Sequence, residues 1–124
     1  MAYKRMAVEI GMGTDLHGQN YTKAAERALR DALWHNSLAV APAFGFDRDS
    51  MMVEVTVAVA QPEQVDTAIV QKVLPYGRSN ISVVQGGLDV PHPVSGDNTV
   101  IANVIAAVYL DFPEACLAEA GVKS

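Results

Sequence analysis

The sequence predicts a small α+β domain in which a four-stranded mixed sheet carries two helices on one face, the elements running β-α-β-α-β-β. Three observations predict it. Met51, Val53, Val55, Val57 and Val59 alternate with Met52, Glu54, Thr56 and Ala58, the period-two signature of a strand with one buried side. Ala24, Ala25, Ala28, Leu29, Ala32 and Leu33 instead recur at helical spacing as one apolar stripe. Thr99 to Leu110 is apolar on both faces and rich in Val and Ile, which favours a strand in the middle of a sheet.

Taken in order, Lys4 to Ile10 reads as the first strand, with Met6, Val8 and Ile10 inward and Arg5, Ala7 and Glu9 outward. It stops at the glycine-rich Gly11-Met12-Gly13-Thr14-Asp15-Leu16-His17-Gly18. The first helix starts at Asn20 or Thr22, either of which can cap it, and runs to about Asn36. Its alanine-rich stripe lets it sit close to the sheet. Trp34 falls opposite that stripe, either covered at a second contact or folded back under its own loop. Ala39 to Ser50, with Pro42, Gly45 and Asp47-Arg48-Asp49, reads as a loop, and Met51 to Ala60 as the second strand. Pro62 suits the first turn of a second helix in which Val65, Ile69 and Val73 repeat every four residues, and Pro75 ends it. Ile81 to Gln85 is a short strand stopped by Gly86-Gly87, and Leu88 to Asn98 a long irregular loop. Thr99 to Leu110 is the last strand, although Ile101, Val104, Ile105 and Val108 also fit helical spacing. Pro113 to Ala120 suits one or two helical turns.

The 124 residues fit one domain, 1–124, with enough apolar content (50%) to build a core. The net charge of −5, with nine scattered basic residues, argues against a nucleic-acid partner. No run reaches the roughly 18 apolar residues of a membrane span, and the first residues have no apolar signal-peptide core. A single cysteine, Cys116, excludes an internal disulfide framework and fits a cytoplasmic setting. Two helices on one face leave the other open, carrying Ala7, Glu9, Met52, Thr56, Ala58 and either Asn103 or Ala107. A half-apolar face of that kind predicts a homo-oligomer, with a trimer favoured.

The chemistry concentrates in residues 11–18. Gly11, Gly13 and Gly18 let a ligand approach the main chain. The helix start beyond them suits an anion. Asp15 and His17, two apart, form an acid/base pair or two of the three ligands a catalytic divalent metal needs. The third would come from His35, His92, Asp47, Asp49 or a neighbouring subunit. Arg78 is a candidate for binding a carboxylate or phosphate. The alternative is a capped glycine turn in which Asp15 bonds loop amides and His17 is a satisfied polar residue. A dinucleotide fingerprint fails because Leu16 stands where its third glycine belongs, and a P-loop fails for lack of Gly-Lys-Ser/Thr.

The element order resembles the chorismate-mutase-like fold, whose members commonly form trimers with sites between subunits. The string Gly11-x-Gly13-x-Asp15-x-His17-Gly18 resembles the GxGxDxHG motif of a small family of conserved hypothetical proteins. The likeness continues through Tyr21-Thr22-Lys23-Ala24 and Leu74-Pro75-Tyr76-Gly77. That resemblance implies no reaction. Residues 11–17 are also similar to a stretch of the methylerythritol cyclodiphosphate synthases, which implies a divalent metal on Asp15 and His17 at a trimer interface. The His-Ser-Asp stretch those enzymes carry downstream is missing here.

Two functions are thereby expected. One is an oligomeric hydrolase or lyase acting on a small polar or anionic metabolite through Asp15 and His17. The other is a non-catalytic ligand-binding or assembly protein using the same loop.

Overall fold

The structure is a computed structural model and describes residues 2–16, 18–34, 40–74 and 78–112. His17, His35, Pro75 to Gly77 and the segment from Pro113 onward, with its expected helical turns and Cys116, lie outside the described residues. The fold is α+β, built on a five-stranded mixed sheet and three helices.

Strand β1 spans Ala2–Asp15, 14 residues, so it runs straight through the glycine segment expected to end it. Gly11 and Gly13 explain how. A Cβ on Gly11 would lie 2.2 Å from the Ala28 carbonyl oxygen, and one on Gly13 would lie 2.3 Å from the Ala28 nitrogen. Helix α1, Tyr21–Leu33, therefore rests backbone against backbone on this part of the strand. Its stripe of Ala24, Ala25, Ala28, Leu29 and Ala32 is fully buried there, as its spacing predicts.

The glycines also decide which side of β1 faces inward. Strand parity puts Ala7 and Glu9 on the α1 side with Gly11 and Gly13, and turns Val8 and Ile10 outward. Ile10 is 66% exposed and Val8 42%, the reverse of the expected facing. A register shift between Arg5 and Ala7 sets the new parity. Trp34 at the end of α1 is 82% exposed, and the loop expected to fold over it lies outside the described residues.

Between residues 40 and 50, the expected loop holds a short helix, α2 (Val40–Ala43), and a 3-10 turn at Arg48–Ser50. Strand β2 is Met52–Val59, with Val53, Val55, Val57 and Val59 buried as the alternation requires. The single helix expected from Pro62 is divided. A 3-10 turn at Pro62–Gln64 ends where Val65 is extended, and Asp66 then caps helix α3, Thr67–Gln71, accepting from the Ala68 and Ile69 amides. The new phase buries Val70 and leaves Ile69 exposed. Both α1 and α3 pack on the valine side of the sheet and against each other.

Strand β3, Arg78–Gln85, starts three residues earlier than expected and pairs parallel to β2. The segment expected to be an irregular loop contains strand β4, Leu88–Pro91, which raises the strand count from four to five. Strand β5, Asn98–Phe112, settles the ambiguous apolar run as a strand. The order is β1-β5-β2-β3, so β5 is central, antiparallel to β1 on one edge. Its other edge is shared end to end: β2 pairs with Asn103 to Tyr109 and β4 with Asn98 to Ile101. The chain reaches β4 through Gly87 (φ +59), where a Cβ would lie 2.2 Å from the Ile101 carbonyl oxygen. β5 is covered on one side only: Val100 to Leu110 bury their even-numbered residues, while Asn103 and Ile105 are exposed.

Candidate functional site

Asp15 ends β1 on the helix side and is 9% exposed. Its Oδ2 accepts from the Asn20 amide at 2.7 Å, and its Oδ1 lies 3.5 Å from Nη1 of Arg27, which also donates to the Thr14 carbonyl at 2.6 Å. Asn20 in turn caps α1 by accepting from the Lys23 amide at 3.0 Å. Gln19, at a left-handed φ of 49, turns the chain into the helix, and its Oε1 accepts from the Asn98 amide. The carboxylate therefore already sits at the positive end of the helix, where the sequence suggested an incoming anion. Gly11 and Gly13 have their open side filled by α1, and a Cβ on Gly18 would lie 2.9 Å from Asp15 Oδ2. The glycines serve close packing of strand, loop and helix, not the approach of a ligand to Gly11 or Gly13.

The register places a second carboxylate nearby that the sequence reading missed. Asp15 and Asp89 both pair with Val100, on opposite edges of β5. Asp89 Oδ2 accepts a short hydrogen bond from the Tyr21 hydroxyl, whereas Oδ1 is buried and has no partner among the described residues. Burial, then the bond to Asp89, push the Tyr21 hydroxyl up from 10.0 to about 12. The available signal was Leu88-Asp89-Val90, an alternation too short to register between Gly87 and Pro91. Of the proposed metal ligands, His17 and His35 lie outside the described residues. His92 bonds its own loop, Nδ1 accepting from the Val94 and Ser95 amides. Asp47 likewise accepts from the Asp49 amide. Among the described residues no three His, Cys, Asp or Glu side chains gather as a metal group.

Arg78 is not brought to this loop. It lies at the other end of the sheet, where its Nη2 donates to the Tyr3 hydroxyl at 2.8 Å. Tyr3 and Asp15 are separated by roughly 40 Å of strand at 3.3 Å per residue. The Arg78–Tyr3 contact crosses the sheet face that no helix covers. Cross-strand register arranges that face in rows: Arg5, Tyr109, Met52, Arg78; then Val8, Ala107, Glu54, Asn80; then Ile10, Ile105, Thr56, Ser82; then Met12, Asn103, Ala58, Val84. Thr14, Ile101 and Leu88 continue it. Ala7 and Glu9, expected here, are on the helix side, while Met52, Thr56, Ala58, Asn103 and Ala107 are where the sequence put them.

A one-sided α+β sheet with its glycine-bearing strand packed under a helix is thus the class that fold and site define. The chain belongs to the conserved hypothetical protein family Lin0512, whose profile matches residues 5–110. It is similar to a protein of Nostoc punctiforme known from a crystal structure and described as an FtsZ-like protein of unknown function. The two are 40% identical with a TM-score of 0.81, over 90% of this chain and 99% of that one. That description differs from the chorismate-mutase likeness expected from element order. No curated protein matches. Among the described residues no helix is long and apolar enough to cross a membrane.

Proposed function

We propose that this chain is an assembly protein: it works as a homo-oligomer whose copies meet through the apolar half of the open sheet face. One observation carries this reading. From the Ile10 row to Leu88 the face presents Ile10, Met12, Ile105, Val84 and Leu88 to solvent, with no ionisable side chain among the residues of those rows. Exposed apolar surface that is continuous, not scattered, marks an interaction site. A chain of net charge −5 repels its own copies over most of its surface, and these uncharged rows are where two copies meet without opposing carboxylates. Asp15, bonded to Asn20 and Arg27, lies on the helix side at the same end of the sheet.

The hydrolase or lyase reading ranks second. The carboxylate it relies on, Asp15, is engaged by Asn20 and Arg27. The test of assembly is light scattering on the purified chain and on Ile10→Asp. A mass that is a multiple of 13.2 kDa, reduced to the single-chain value by Ile10→Asp, supports the reading. A wild-type monomer at about 50 μM, a concentration at which a micromolar interface is formed, overturns it.

A further inference from the structure

We propose that the other end of the open sheet face binds a small organic cation, an ammonium group carried on an apolar body. Tyr3, Met52, Glu54 and Tyr109 line a depression of about 570 Å³ there, within the usual size range of small-ligand sites. The register explains why it forms. Tyr109 and Met52 are cross-strand partners on β5 and β2, and Glu54 is one row further along β2. Tyr3 stands on β1 and Arg78 on β3, with β5 and β2 between them. Two intervening strands put their backbones roughly 14 Å apart. Their side chains close that distance by meeting tip to tip, Arg78 Nη2 to Tyr3 Oη at 2.8 Å, so they bridge the sheet face beside the depression.

The lining decides the ligand. Two phenol rings and a thioether supply polarisable, apolar walls, and ring faces attract cations. Among the described lining residues Glu54 supplies the one carboxylate. It forms no ion pair among the described residues, and its polar contact is a long one, 3.4 Å from Asn80 Nδ2. Arg78 is a diagonal neighbour of Glu54 across the β2–β3 pair, yet its guanidinium is directed to Tyr3 instead. Arg5, the cross-strand partner of Tyr109, and Arg78 stand at the two edges of the depression, whereas the group inside it is the Glu54 carboxylate, which has no ion pair among the described residues and is what a bound ammonium would meet. The site is built from one chain and lies outside the uncharged rows, so it stands independently of the assembly reading.

The experiment is a titration of the full chain with benzylammonium, and with benzoate as its anionic counterpart, followed by calorimetry and by amide chemical shifts. Expected are saturable benzylammonium binding with shifts at Tyr3, Met52, Glu54 and Tyr109, and none with benzoate. Glu54→Gln, which keeps size and shape, should weaken benzylammonium at least roughly tenfold, the scale of one charge-assisted contact. Tyr109→Leu should weaken it roughly threefold or more, through the lost ring face. Ile10→Asp should leave it unchanged. Equal binding of benzoate, shifts confined to other residues, or an unaltered affinity in Glu54→Gln with an unchanged melting temperature would each overturn the proposal.

Discussion

Replacing Gly13 by alanine tests the central packing claim. The added Cβ would stand 2.3 Å from the Ala28 nitrogen, 2.4 Å from the Ala24 oxygen and 2.8 Å from the Arg27 carbonyl carbon, where ordinary contact is 3.4–4 Å. All three are helix backbone atoms, so no side-chain rotation relieves the clash and α1 must retreat as a unit by about 1 Å. A gap of that size forfeits roughly a quarter to a half of each dispersion contact across it. A buried leucine makes some 40–60 such contacts at about 0.1–0.2 kcal/mol each, so with about half of them crossing that gap the loss at Leu29 alone is about 0.5–3 kcal/mol. The buried alanines beside it add to that, giving about 3–4 kcal/mol, at the high end of overpacking costs. At about 4 °C per kcal/mol for a chain of this length, the melting temperature should fall by about 12–16 °C. Urea denaturation with far-ultraviolet circular dichroism reads the free energy directly. Gly45→Ala is the control: φ is +77 and nothing lies within 4 Å, so backbone strain alone should cost about 1–2 kcal/mol. A Gly13→Ala chain melting within about 3 °C of wild type would refute the packing account. So would unchanged stability with loss of a bound ligand, which would return Gly13 to the role of ligand cradle.

Two further outcomes are expected. The raised Tyr21 pKa means that its stabilising contribution is complete below about pH 10 and is lost as pH rises from there towards about 12. Urea midpoints should therefore fall more steeply over that interval in wild type than in Tyr21→Phe, which itself should lose about 1–3 kcal/mol at neutral pH because the Asp89 carboxylate loses its donor; parallel profiles would refute the assignment. Asp15→Ala, which strands the Asn20 amide and Arg27, should cost about 1.5–3 kcal/mol, and Asp15→Asn, which keeps an acceptor, less. Equal losses measured by the same denaturation would show that the loop bond at 2.7 Å carries no weight.

What the sequence revealed of the fold follows from where one physical signal dominates. Met51 to Val59 alternates without exception, and the alanine stripe of α1 has a single face, so both were legible. In β1 two signals oppose each other. Burying Met6, Val8 and Ile10 follows hydrophobicity, but only Gly11 and Gly13 fit beneath α1, and the steric demand outweighs the transfer energy of two aliphatic side chains. The glycines also suggested freedom for a ligand, when they mark where two backbones touch. Strand β4 was hidden because its pairing with β5 depends on Gly87 threading past the end of β2, a contact no local window contains. At the site, Asp15 was visible from its spacing within the glycine segment. Asp89 joined it only through the shared neighbour Val100.

The pairing of β1 with β5 bears on how the chain comes to fold. Ala2 lies opposite Phe112, and every later rung of that ladder also joins the beginning of the sequence to its far end. Because β5 separates β1 from β2, the seat of α1, made of β1 and β5 together, is incomplete until Ala102 and Val104, the partners of Gly13 and Gly11, are in place. Folding with such distant contacts is slow. Until β5 is synthesised the first strand lacks the partner for its backbone hydrogen bonds, a window in which chaperones or neighbouring nascent copies have first access to it.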